Sequence, residues 1–132
     1  MKVENILTII FILIILTLLF FSIIIAQRLF KQTTSAKYDA ARPKMAPIES
    51  SIETFLQNTG QYPTTLNDLI ENPGLPGWTG PYLKESQLYD PWDRMYIYIP
   101  NGTNNSNNFD IISYGADGVP GGEGINADIY ND

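Results

Sequence analysis

The sequence contains neither cysteine nor histidine among its 132 residues. Without cysteine there is no disulfide framework, no thiolate metal site and no cysteine nucleophile. Without histidine the chain lacks the commonest general base, the commonest transition-metal ligand and any Ser-His catalytic triad. A metal site in this chain must therefore use oxygen ligands, which favours calcium or magnesium over zinc or copper.

Basic residues are scarce beyond Met45. Up to that residue there are six Lys or Arg and two acids, and after it there are two Lys or Arg and twelve acids. The net charge of -6 is thus concentrated in an acidic C-terminal part. This part lacks the basic stripe that nucleic-acid binding requires, so we expect no nucleic-acid partner. Affinity for a divalent cation fits the charge better.

Charge is also absent from the 21 residues between Ile6 and Ala26. At 1.5 Å per residue this run is long enough to span the hydrocarbon core of a bilayer. A buried core helix and a cleaved signal peptide are the alternatives. The run is too long for a signal-peptide core, and no small-x-small cleavage site follows it. We therefore predict a retained single-pass transmembrane helix at 6–26, preceded by a short leader-like segment at 1–5.

Residues 27–47 are predicted to form a helical neck that is broken by Pro43 and Pro47, because proline disfavours helix at the residue before it. A second helix is expected after Pro47. There Ile48, Ile52, Phe55 and Leu56 form one apolar stripe, and Gly60 is a typical stop. A short helix from about Thr65 to Glu71 should follow, with Thr64 or Thr65 as its N-cap.

Two β-rich segments complete the globular head, which we place at 48–132. "RMYIYIP" (94–100) and "FDIISYG" (109–115) are separated by a polar turn and predict an antiparallel hairpin. The fold class is therefore α+β, a long N-terminal helix with a small antiparallel sheet. Asp90 in "DPW" is expected to cap a turn. Six aromatic residues are predicted to form the core of the head, with a sugar- or protein-binding platform as the alternative: Tyr62, Trp78, Tyr82, Trp92, Tyr96 and Tyr98.

Four segments then appear in order: "GQYPTTLNDLIENP", "GWTGPYLKE", "LYDPWDRMYIYIP" and "FDIISYGADGVPGGEGINADI". Together they resemble the major pseudopilins of type II secretion systems, within the type IV pilin-like superfamily. The resemblance covers about 48–129. It implies a pilin-like fold and a structural role, not an enzyme. Protomers of such proteins leave the bacterial inner membrane and stack their apolar helices into a helical filament that drives exoproteins outward.

The resemblance also implies partners and a location. The partners are further copies of the chain, minor pseudopilins, the inner-membrane assembly platform and membrane lipid. The head would lie in the periplasm, or outside the cell as part of a filament. The positive-inside rule alone favours the opposite orientation, because Arg28, Lys31 and Lys37 follow the apolar run and only Lys2 precedes it.

The N-terminal segment departs from the family pattern. Asn5, Ile6 and Ile10 stand where the family has a glycine, a phenylalanine and a glutamate. Glu4 is the displaced equivalent of that glutamate or simply a solvated side chain. The departure supports an alternative function, a membrane-anchored, calcium-binding receptor or adhesion module that does not polymerise.

In the family, the glycine-rich loop after the last strand binds calcium. Carried over, the resemblance assigns the side chains of Asp117 and Asp128 and the backbone carbonyl of Tyr114 as ligands, with Asn126 as a further side-chain donor. Calcium takes six to eight oxygens in flexible geometry, and glycine lets a loop turn its carbonyls inward. The spacing does not match an EF-hand. By spacing alone, a solvated acidic tail remains the alternative to a Ca²⁺ site.

Overall fold

The computed structural model describes residues 2–104 and 109–131. The chain divides into two compact units, Met1–Ser35 and Ala36–Asp132. Two α-helices come first, α1 at Val3–Ala41 and α2 at Ala46–Thr59. Three short strands follow, β1 at Ile97–Pro100, β2 at Phe109–Ser113 and β3 at Ile129–Tyr130. The arrangement is α+β, with a long N-terminal helix and a small antiparallel sheet.

α1 is apolar on every side through its first half. Every described side chain from Lys2 to Thr33 is exposed. The hydroxyl groups of Thr8, Thr17 and Ser22 donate to backbone carbonyls three or four residues earlier, so they mark no polar face. In the described part of the chain, α1 is the one helix whose length and composition suit a membrane span.

The predicted proline break is confined to a few residues. α1 continues without interruption to Ala41, and a 3-10 turn at Pro43–Met45 separates it from α2. Pro47 does not interrupt a helix, because it lies in the first turn of α2. A proline there loses no intrahelical hydrogen bond, since the first N–H groups of a helix have no partner within it. Most of the predicted neck is therefore regular helix.

α2 presents one apolar face to the core. Ile48, Ile52 and Phe55 are fully buried, and Leu56 is half-buried. The predicted stripe is confirmed, because residues three and four apart lie on the same side of a helix. Gly60 follows the helix, and its N–H donates to the carbonyl of Leu56 at 2.8 Å, which confirms the predicted stop.

The predicted short helix after α2 is a single 3-10 turn at Leu66–Leu69. Thr65 is its N-cap, as expected. The side chain of Asp68 accepts hydrogen bonds from the backbone N–H groups of Thr64 (2.7 Å) and Thr65 (3.1 Å). These bonds satisfy donors that would otherwise be unpaired at the start of the turn.

The sheet has the order β1-β2-β3, and both pairings are antiparallel. The predicted hairpin is confirmed, with Tyr98 opposite Ile111 and Pro100 opposite Phe109. Every residue of β2 is buried, as befits a central strand. β3 was not predicted. It pairs Ile129 with Ser113, so the segment between β2 and β3 begins and ends at neighbouring positions of the sheet.

The core lies between α2, the sheet and the intervening turns. The six predicted aromatic residues contribute to it as expected: Tyr96 is buried, and the other five are half-buried and pack against the core. Tyr82 contacts the rings of Phe55 and Trp78, with centroids 5.9 and 5.7 Å apart. Fully buried aliphatic residues complete the cluster, among them Met45, Leu69, Leu88 and Ile111.

Candidate metal site in the C-terminal loop

The segment 114–128, which we call the C-terminal loop, joins β2 to β3. Two hydrogen bonds fold it back on itself. The N–H of Ala116 donates to the carbonyl of Ile125 at 2.9 Å, and the N–H of Gly118 donates to the carbonyl of Tyr114 at 3.2 Å. A 3-10 turn at Gly124–Asn126 follows. The glycine-rich stretch is therefore a closed loop with internal bonds.

The two predicted carboxylate ligands both contact the middle of this loop. Asp117 Oδ1 accepts the N–H of Val119 at 3.2 Å. Both carboxylate oxygens of Asp128 accept the N–H of Gly121, at 2.9 and 3.0 Å. A carboxylate has about four lone-pair positions, so each side chain keeps acceptor capacity beyond these bonds. Both carboxylates thus accept hydrogen bonds from the stretch 119–121, Asp117 from a residue only two positions later.

The backbone carbonyl oxygens of 125–127 approach two glycines of the loop, Gly115 and Gly122. A Cβ on Gly115 would lie 2.8 Å from the carbonyl oxygens of both Ile125 and Ala127, and one on Gly122 would lie 2.5 Å from that of Asn126. Both glycines have positive φ, 61° and 84°, which side-chain-bearing residues rarely adopt. Glycine is therefore required at both positions for the carbonyls of 125–127 to come this close.

The other two predicted ligands are Tyr114 and Asn126, and the structure shows a backbone carbonyl of each in the loop. Tyr114 offers its carbonyl, which accepts one hydrogen bond from Gly118 and retains a second lone pair. Asn126 brings its backbone carbonyl toward Gly122. Among the residues that the structure describes, no three Asp, Glu, His or Cys side chains come together as a metal-binding group. The loop's donors are carboxylate and carbonyl oxygens, a ligand type that suits calcium better than a transition metal.

Sequence reasoning missed Arg94, which lies against the loop. Its Nη2 donates to the carbonyl oxygen of Gly115, and its Nε lies 3.8 Å from a carboxylate oxygen of Asp90. The only signal was its isolation, because Arg94 and Lys84 are the two basic residues after Met45. Its hydrogen-bond acceptor is a backbone carbonyl, which no sequence pattern marks.

Asp90 is the buried partner of this arginine, with 2% of its surface exposed. Its Oδ1 accepts the N–H groups of Trp92 (2.9 Å) and Arg94 (3.0 Å), so the predicted turn-capping role is confirmed. Its Oδ2 accepts the hydroxyl of Ser113 at 2.7 Å. Asp90 thereby ties the turn at 90–94 to the last residue of β2.

The negative charge of the loop acts on the tyrosine of β3. The pKa of Tyr130 is raised from its ordinary value, first by burial and then by the carboxylate of Asp128. Both effects disfavour the phenolate, burial because it removes water and Asp128 because like charges repel. Tyr130 is thus neutral beside the loop near neutral pH.

Comparison with known protein families identifies the family of this chain. Residues 28–132 match the family model described as type II secretion system (T2SS), protein G. The chain belongs to this family. Its members are the major pseudopilins, structural subunits of the secretion system and not enzymes. This confirms the resemblance drawn from the four sequence segments.

Individual relatives agree with the family match. A type II secretion system core protein G from Xanthomonas campestris pv. campestris is 36% identical over 107 residues, covering 80% of this chain and 73% of the relative. Its counterpart from Pseudomonas aeruginosa is 30% identical over 116 residues, 82% of this chain and 80% of the relative. That from Vibrio cholerae is 30% identical over 114 residues, 81% and 76% of the two chains.

Proposed function

We propose that this pseudopilin polymerises through α1 into a helical filament that supports type II protein secretion. The observation that carries the proposal is the exposure of α1, whose large apolar side chains from Val3 to Phe30 are all exposed in the single chain. Stacking such helices keeps this surface from water at roughly 25 cal/mol per Å². A head-to-tail contact that does not close on itself gives a filament, not a ring.

Location and partners follow from the same proposal. α1 anchors the chain once in the bacterial inner membrane, with the head in the periplasm until the filament grows. Minor pseudopilins and the inner-membrane assembly platform are the other proposed contacts, together with membrane lipid. The length and apolar composition of α1 and the family membership support this location.

Electron microscopy of filaments from cells producing the chain with its secretion system tests polymerisation. We expect filaments in which mass spectrometry identifies this chain. Leu16→Lys, which places a charge midway along the apolar run, should abolish them, while Gln57→Lys on the exposed side of α2 should not. Immunoblots of the membrane fraction show whether Leu16→Lys still inserts. The absence of filaments from wild-type cells that contain the protein in their membranes would contradict the proposal.

A second function is favoured by the N-terminal departure. Asn5, Ile6 and Ile10 suit a membrane-anchored, calcium-binding receptor or adhesion module that does not polymerise. Intact mass and N-terminal sequencing of the native protein distinguish the two. A processed and methylated N-terminus favours assembly by the usual route of the family. An intact Met1 together with a lack of filaments would favour the anchored module.

We also propose that the C-terminal loop binds Ca²⁺ through the carboxylates of Asp117 and Asp128 and the carbonyl of Tyr114. The support is two carboxylates and a backbone carbonyl with unused acceptor capacity, in a loop closed by its own hydrogen bonds. Bound calcium would offset the charge of the two aspartates and fix the loop between β2 and β3. A ligand that binds only the folded state stabilises it, by about 2.7 kcal/mol at a hundredfold excess over Kd.

Thermal unfolding of the full chain in detergent, followed by tryptophan fluorescence, tests calcium binding. Chelation should lower the Tm of the wild type and leave that of Asp117→Ala nearly unchanged. Glu123→Ala removes an exposed acid of the same loop and should retain the calcium response. Equal melting of the wild type with and without chelator would disprove the site.

A further inference from the structure

The turn 115–118, which carries Asp117, is contacted at both ends by the side chain of Arg94. Arg94 donates from Nη2 to the carbonyl oxygen of Gly115 at the start of the turn. At its end, a Cβ on Gly118 would lie 2.9 Å from Nη1 and 3.0 Å from Cζ of Arg94. The backbone of Gly118 therefore packs directly against the guanidinium. Asp117 stands between the two contact points.

Two side chains flank the guanidinium, and the main chain of Arg94 is hydrogen-bonded as well. Asp90, almost completely buried, lies 3.8 Å from Nε. The ring of Trp92 lies beneath it, with the centroid 5.7 Å from Cζ. The main chain of Arg94 is bound at both polar atoms, since its N–H donates to Asp90 Oδ1 and its carbonyl accepts the N–H of Asp90 at 2.8 Å. Arg94 therefore contacts both the turn at 90–94 and the C-terminal loop.

We propose that Arg94 is the positioning residue of the cation site: it holds the turn 115–118 in the conformation that presents Asp117 to the ion. This inference rests on the proposed calcium binding. Arg94 does not touch the ion and acts through the backbone of Gly115 and Gly118. Supporting residues of this kind, which orient the direct ligands, typically change metal affinity by about 10- to 100-fold when they are replaced.

The charge of Arg94 makes the proposal sharply testable. A positive guanidinium near a cation site repels the ion, so removing its charge should strengthen calcium binding if electrostatics alone mattered. A positioning role predicts the opposite sign. Lysine keeps the charge but lacks the planar fork that contacts Gly115 and Gly118 together. Arg94→Gln and Arg94→Lys should therefore both weaken binding, although only one of them loses the charge.

Calorimetric titration of the full chain in detergent with Ca²⁺ measures the effect directly. We expect Kd to rise about tenfold or more in Arg94→Gln and Arg94→Lys. Lys84→Gln makes the same change in net charge at an exposed residue of the head and should leave Kd within about threefold. Titrations are made well below the Tm that each variant shows in chelator, so a loss of folding is not read as a loss of affinity.

The outcomes separate the two proposals. If the wild type binds no calcium, the metal site and this inference fall together. If the wild type binds calcium and both Arg94 variants bind it equally well, Arg94 is not a positioning residue, and the metal site stands. Tighter binding by Arg94→Gln with unchanged binding by Arg94→Lys would assign Arg94 a purely electrostatic effect. Arg94→Lys, the milder change, keeps the test available if Arg94→Gln does not fold.

Discussion

The hydroxyl group of Tyr96 donates a hydrogen bond to the carbonyl oxygen of Ala41, 2.8 Å away and 55 positions earlier in the sequence. Both residues are buried. Ala41 is the last residue of α1, where helix carbonyls have no partner within the helix. The bond therefore satisfies a helix end inside the core and ties it to the segment that leads into β1.

Tyr96→Phe should destabilise the unit Ala36–Asp132, because it leaves the carbonyl of Ala41 buried without this donor. A buried polar group that loses its partner costs about 1–3 kcal/mol, and each kcal/mol corresponds to a Tm change of about 4–8 °C in a domain of 60–100 residues. Tryptophan fluorescence during thermal unfolding measures it. Tyr89→Phe, at a half-buried tyrosine of the neighbouring segment, is the control, and an equal loss there would contradict the role of the Ala41 bond.

Tyr98→Phe should have the opposite effect. Among the described residues, the buried hydroxyl of Tyr98 has no hydrogen-bond partner, so the substitution removes a desolvated polar group and should raise the Tm. Tyr82→Phe is the informative comparison. The Tyr82 hydroxyl accepts hydrogen bonds from Asn58 and from the N–H of Thr79, at 3.2 and 3.0 Å, and its loss should lower the Tm. A lower Tm for Tyr98→Phe would show that the hydroxyl is paired.

Alkaline unfolding tests the same tyrosine by another route. Burial, followed by the charges of Tyr62 and Asp68, raises the pKa of Tyr98 from 10.0 to about 12. Since the folded state holds this proton more tightly than the unfolded state, stability is complete below about pH 10 and falls as the pH rises through 12. Tyr98→Phe should lose less stability over that window. Identical pH profiles of urea unfolding for the two proteins would refute the shift.

Asp93→Gly should stabilise the head. Asp93 has a φ of 62° within the turn at 90–94, where its N–H donates to the carbonyl of Asp90 at 3.1 Å. Left-handed backbone costs a residue with a Cβ roughly 1–2 kcal/mol relative to glycine. Asp93→Ala removes the same charge but keeps the Cβ, so the difference in Tm between the two variants isolates the backbone effect. If glycine is no more stable than alanine, the turn is unstrained.

Asp68→Ala should cost about 1 kcal/mol, the usual value for a lost cap. It removes the acceptor for the N–H groups of Thr64 and Thr65 and for the hydroxyl of Thr65. Urea unfolding at neutral pH gives the free energy. Glu71→Ala, an exposed acid just beyond the same turn, should change it by less than about 0.5 kcal/mol. Equal effects of the two substitutions would show that Asp68 does not stabilise the turn as a cap.

The sequence was sufficient for those parts of the fold that repeat a local pattern. The stripe at Ile48, Ile52 and Phe55 predicted α2, and two β-rich segments separated by a polar turn predicted the β1–β2 hairpin. β3 was missed because two residues, Ile129 and Tyr130, are too short to show any periodicity. Their position depends on a tertiary pairing with Ser113 and Ile112.

The residues of the candidate site also fall into those that the sequence predicted and those that it did not. Asp117 and Asp128 lie in one of the four segments that carry the family resemblance, and both accept hydrogen bonds from the stretch 119–121. The role of Arg94 could not be predicted from the sequence, because Arg94 contacts the backbone of Gly115 and Gly118 and no side-chain pattern marks such a contact. The positions of the carbonyls of 125–127 could not be predicted, since the direction of a carbonyl depends on φ and ψ and not on residue type.

The hydroxyl groups of α1 turn back onto their own helix, and its other side chains from Ile6 to Ala26 are hydrocarbon. Such a surface favours contact with another apolar helix but does not fix the orientation of that helix. Two copies can rotate about their long axes, or slide along them, and still bury nearly the same area. In an assembly of this chain, contacts between these helices would therefore leave neighbouring copies free to rotate and slide relative to each other. The rotation and axial position of each copy relative to its neighbours would instead be set by contacts between the charged heads.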